Sequence, residues 1–186
     1  MVAGWFAIAA AILTVTGLIT LLAFFGTGSS LLGALNDLNT IVMAVVTVPV
    51  ALALYPVASR TSSSFATIAL GADLLGVLLA AGFSALLLAH VLTFNATLLP
   101  ITIGNGLIGV WLLITAALLL AVAAVPVPLG WLGIAGGAGL VVASMGFPLL
   151  GREHPIIAAG GLVALIGLVG FYMWAGVLMI QARLAP

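Results

Sequence analysis

Asp73 is the residue most able to do chemistry, because it lies inside a long apolar run, about 12 Å along the axis from the start of that run at the helical rise. A carboxylate at that depth is expensive to ionise. Such groups face the interior of a helix bundle or a wet cavity, and they belong to proton relays or cation sites. The plainer reading is a protonated Asp hydrogen-bonded to a neighbouring helix. Thr14, Thr16 and Thr20 in the first apolar run and Ser144 in the fifth stand at compatible depths as partners. Arg60 is the only nearby cation and would have to reach inward from a loop.

A second group is collective. Asn36, Asp37, Asn39, His90, Asn95, Asn105, Arg152, Glu153 and His154 all fall toward one membrane face if the apolar runs alternate in direction. Two His with two carboxylates on one face suit a divalent metal or, with His90 and His154 as axial ligands, a haem. The plainer reading makes Asn36 and Asp37 helix caps, Arg152 and Glu153 a surface pair of small energetic value, and His90 a residue at a wet helix end. No HExxH, paired His at helical spacing or Glu-x-x-His is present, so no cofactor is expected.

Enzyme templates are also missing. There is no GxSxG, no Gly-rich phosphate loop after a strand and no Cys nucleophile, and two His with scattered Ser do not define a triad. The absence of Cys removes disulfides and thiolate metal sites as well. Of 186 residues 66% are hydrophobic and 3% charged, and the mean hydropathy is +1.53. Three Arg and three acids cannot cover the surface of a water-soluble domain, and nucleic-acid binding is excluded on the same ground.

The elements that position these residues are read from apolar runs of about 20 residues, the length that crosses roughly 30 Å of hydrocarbon. Six are expected, at about residues 3–25, 36–58, 65–92, 103–124, 129–150 and 156–181. Gly26-Thr27-Gly28-Ser29-Ser30 breaks the first from the second, Asn36-Asp37 caps the second, and Pro126 with Pro128 makes a tight turn before the fifth. Pro155 suits the first turn of the sixth. The runs are too long and too continuous for barrel strands. The first has no Lys or Arg before it and exceeds a signal-peptide core, so it reads as a retained helix. The expected fold is all-α, a polytopic six-transmembrane-helix bundle with short loops, one domain over residues 1–186.

Lipid tails give no hydrophobic drive for helix association, so small residues mark contacts. Ala72, Gly76 and Ala80, Gly133 with Gly137, and Gly160 with Ala164 have the required spacing, either for packing inside the bundle or, on the fifth helix, for a homodimer seam. Pro49 and Pro148 interrupt their helices. Arg60 and Arg183 share one face, which places both termini in the cytoplasm by the positive-inside rule, with Trp5, Tyr55, Trp131 and Trp174 at that interface. Loops this short carry no extramembrane domain. The first functional expectation is therefore a non-enzymatic scaffold or accessory subunit, bound to lipid and to other membrane subunits or to copies of itself. The alternative is a small proton- or cation-coupled transporter or channel built on Asp73. A metal- or haem-binding membrane enzyme comes third.

Overall fold

A computed structural model describes residues 1–151 and 153–184. It is all-helical, with six helices long and apolar enough to cross a membrane: α1 (Val2–Thr27), α2 (Ser30–Ala58), α3 (Ser63–Leu88), α4 (Phe94–Ala121), α5 (Val127–Leu150) and α6 (Pro155–Ile180). Each helix satisfies its own backbone groups, which hydrocarbon requires. The short turns make successive helices antiparallel. Gly28 ends α1 with a left-handed backbone, φ 68°, and returns its N–H to Phe24 O at 2.7 Å.

Two boundaries differ from the sequence reading. α2 begins at Ser30 with Ser29 as its N-cap, so Asn36 and Asp37 lie inside the helix and cap nothing. α4 begins at Phe94 and runs through Pro100. Polar residues and a proline read as ends by the rules for water-soluble helices, but near a bilayer the backbone has no water to turn to and the helix continues. Thr97 and Thr102, which flank Pro100, donate their hydroxyls to the carbonyls of Phe94 and Leu98 in the turns before it. Pro155 does occupy the first turn of α6, with His154 as the N-cap.

The helices close into a ring in chain order, each packed on the next and α6 on α1, with a small contact of α2 on α4 across it. Most of the ring is held by glycine. A Cβ at Gly4 would come within 2.6 Å of Gly176 O, joining α1 to α6, and one at Gly76 within 2.6 Å of Gly104 O, joining α3 to α4. Gly137 stands the same way on Gly109 O at 2.6 Å between α4 and α5, and Gly136 on Gly167 between α5 and α6. Gly160 and Ala164 pack on Gly139, and Gly133 on Ala116 and Phe171. The small-residue stripe of α5 is thus spent inside the chain, which removes it as a homodimer seam.

The seams of α2 are different. Toward α1, Thr16 Oγ1 donates to Asn39 Oδ1 at 2.8 Å, Asn39 Nδ2 to Leu13 O at 3.1 Å, and Thr20 Oγ1 to Asn36 Oδ1 at 3.4 Å. Gly17 lies under the Asn39 amide and Gly33 under the Phe24 ring, so glycine here meets side chains and not backbone. Toward α3, Tyr55 Oη and Thr67 Oγ1 are 3.2 Å apart. Pro49 and Pro56 each remove a backbone donor from α2.

Candidate functional site

Asp73 occupies the tenth position after Ser63 in α3, about 15 Å from that helix end and close to the middle of a membrane-sized span. Its side chain is 0% exposed, and both carboxyl oxygens are buried without a hydrogen-bond partner. This is deeper and drier than the sequence alone indicated. Two other helices bring polar groups toward it. Thr47 of α2 faces the carboxyl at the same depth, measured from the C-terminal end of its own helix. Its hydroxyl proton, however, is held by Ala44 O at 2.7 Å, so Asp73 receives no full hydrogen bond. Tyr172 of α6 is fully buried, lies within electrostatic reach of Asp73, and leaves its hydroxyl unpartnered. The ring of Tyr172 stands edge-on to Phe171 at 5.8 Å between centroids, and α6 itself does not touch α3.

The partners expected for Asp73 are not the ones present. Thr16 and Thr20 are bonded to Asn39 and Asn36, and Thr14 donates to Ala10 O at 2.8 Å. α1 does not touch α3, and neither does α5, which carries Ser144. Arg60 stays in the α2–α3 turn and makes no bond to Asp73. Tyr172 was missed because it sits among apolar neighbours, and Thr47, though spaced with Asp37 and Thr40 on α2, because sequence does not say that this face of α2 meets α3. Ser84 was legible: it follows Asp73 by eleven residues, three helical turns on the same face of α3. Its hydroxyl is also buried and unpartnered.

The polar cluster at the other helix ends divides into separate places. Asn36 and Asn39 belong to the α1–α2 seam. Asp37 and His90 line a cleft of about 210 Å³ with Phe24, Leu87, Leu88 and Phe94. His90 holds a left-handed backbone, φ 57°, in the α3–α4 turn, an uncommon conformation for a residue with a side chain. Asn95 is exposed in the first turn of α4, and Asn105 lies about three turns deeper and partly buried. Glu153 and His154 are exposed in the α5–α6 turn, where His154 Nδ1 accepts from Ile156 N at 3.4 Å. Arg152 lies outside the described residues. The two His therefore sit on different turns, one beside Asp37 and one capping α6. Among the described residues no three His, Asp or Glu side chains gather as a metal site.

Trp5 and Trp131 are exposed at the first turns of α1 and α5, and Tyr55 and Trp174 lie in the last two turns of α2 and α6, which is one end of the bundle. That end carries the aromatic belt. Compared with known proteins, the chain matches no family model, no curated protein and no solved structure. Its chemistry must be argued from its own residues.

Proposed function

We propose that this multi-pass membrane protein is a small proton-coupled transporter or channel in which Asp73 takes up and releases the proton. The observation that carries the reading is the Asp73 carboxyl, fully buried at mid-span with neither oxygen hydrogen-bonded. A structural Asp would be expected to have found partners, since an unsatisfied buried polar group costs about 1–3 kcal/mol and a charge more. Among the described residues no cation bonds to it, and the buried Tyr172 hydroxyl is unsatisfied too. A relay at this carboxyl needs two arrangements. In one, Thr47 turns its hydroxyl proton from Ala44 O onto an ionised carboxylate. In the other, the protonated carboxyl keeps its own proton. Alternation between them is what a relay requires.

The test is Asp73→Asn in proteoliposomes. It keeps shape and removes titration, so proton flux driven by a pH gradient falls at least tenfold while yield is retained; unchanged flux overturns the reading.

The scaffold or accessory-subunit reading has one observation behind it. Only 11% of the most apolar window of α1 is buried, and Trp5, Ile12, Ile19 and Leu22 face outward. This face meets lipid, another membrane subunit or a second copy. Mass spectrometry after gentle extraction decides, because a stoichiometric partner establishes that role. The positions of Arg60 and Arg183 support cytoplasmic termini in either reading.

A further inference from the structure

The ends of α2 border two cavities, one at each end of the bundle, and they are chemically unlike. The one near Ala53, Pro56, Met179 and Leu184 has about 320 Å³ and only apolar side chains in its lining. The other, at the end carrying the α1–α2 and α3–α4 turns, has Asp37 and His90 in its wall. From this second cleft a stripe leads toward Asp73. On α2, Asp37, Thr40, Ala44 and Thr47 recur at helical spacing and cover about 15 Å of axis. On α3, Ser84 lies three turns from Asp73 and one turn below Leu87 and Leu88 of the cleft wall, while Gly76 and Ala80 between them pack on Gly104 of α4. Ser84 is 1% exposed and its hydroxyl has no partner, although it sits where only a route or a rearrangement would use it. The α3–α4 seam is closed by Gly76 against Gly104, which leaves the α2 side as the one able to open.

We propose that Asp73 exchanges its proton with a single membrane face, through the cleft at Asp37 and His90 and along the α2 stripe that ends at Thr47. This rests on the relay reading of Asp73 and adds its direction. Water or a hydroxyl chain enters between Asp37 and His90, passes Ser84 and Thr40, and reaches Thr47 and Asp73. The cavity at the opposite end offers no side chain to carry a proton. Among the described residues lining the cleft, Asp37 and His90 carry the titratable side chains.

The chain has no Cys, so single cysteines can be read without background. Asp73→Cys, in sealed vesicles whose orientation is set by labelling Ser29→Cys, is treated with a small membrane-impermeant thiosulfonate on each side. Reaction is expected at least tenfold faster from the Ser29 side. Ala34→Trp, which fills the cleft, slows it at least tenfold, whereas Ala53→Trp in the opposite cavity changes it less than twofold. Thr47→Cys provides the same readout if Asp73→Cys fails to fold. Equal rates from both sides, faster reaction from the far side, or no reaction while Ser29→Cys reacts each overturn the proposal. One-sided labelling without proton flux in the wild type sinks the relay and leaves the access route standing. Flux lost in Asp73→Asn, with labelling from the far side, sinks the route alone.

Discussion

The seams of α2 and the seams of the rest of the ring solve the same packing problem in opposite ways. Between α3 and α4, α4 and α5, α5 and α6, and α6 and α1, glycines let backbone touch backbone. Between α2 and its two neighbours, Thr, Asn and Tyr side chains do the joining. A glycine contact has one geometry, because a shift of an ångström either separates the dispersion contacts or drives atoms together. An interhelical hydrogen bond in a bilayer is worth about 0.6 kcal/mol on average and can be exchanged for another. The ring is therefore rigid over five helices and adjustable at α2, which carries Asp37 and Thr47 and flanks Asp73. The adjustable helix is the one next to the candidate site.

That contrast can be broken most severely at a glycine seam. Gly137→Leu sets a side chain against Gly109 O and Leu113 N, both backbone atoms that cannot rotate away. A loss of about 3 kcal/mol or more is expected, read as a lowered unfolding midpoint in detergent. Asp73→Leu comes next and has the opposite sign. It removes two unpartnered oxygens from the core, so stability is expected to rise by about 1–3 kcal/mol while proton flux disappears. A destabilised Leu variant would mean that Asp73 has native partners and is a packing residue.

Asn39→Ala should cost about 1 kcal/mol through the lost bonds to Thr16 and Leu13, and a double-mutant cycle with Thr16→Ala should return a coupling of about 0.6 kcal/mol. A cost matching Gly137→Leu would erase the distinction between the two kinds of seam. Neighbouring glycines on α6 give the finest comparison. Gly161→Ala meets nothing within 4 Å and should change stability by less than about 1 kcal/mol, whereas Gly160→Ala presses on Ala143 N at 3.0 Å and should destabilise measurably.

Much of this molecule was legible before its fold. Six spans, short turns, the shared face of His90, Asp37 and Glu153, and the use of Gly76, Gly137 and Gly160 for packing all follow from hydropathy and spacing. Where the reading slipped, the reason was local. Asn36-Asp37 has the chemistry of a cap, and the fourth run was started at about residue 103 where α4 begins at Phe94, but in a bilayer a helix that ends early exposes backbone groups with nothing to bond them. The candidate site was half legible. Asp73 stood out by residue type and depth, and Ser84 shared its face by spacing.

Its neighbours did not stand out, because nothing in an apolar run records which other helix lies beside it. Thr47 and Tyr172 are separated from Asp73 by long stretches of chain, and the Thr residues of α1 were equally suitable by depth. Transfer of apolar residues out of water depends on each segment by itself, so composition and length determined the spans. Adjacency depends on which backbones can approach closely. Only the tertiary structure, with its glycine pairs locking five helices and leaving α2 to polar contacts, decided that Asp73 would lie beside Thr47 and within electrostatic reach of Tyr172, with both oxygens unpartnered.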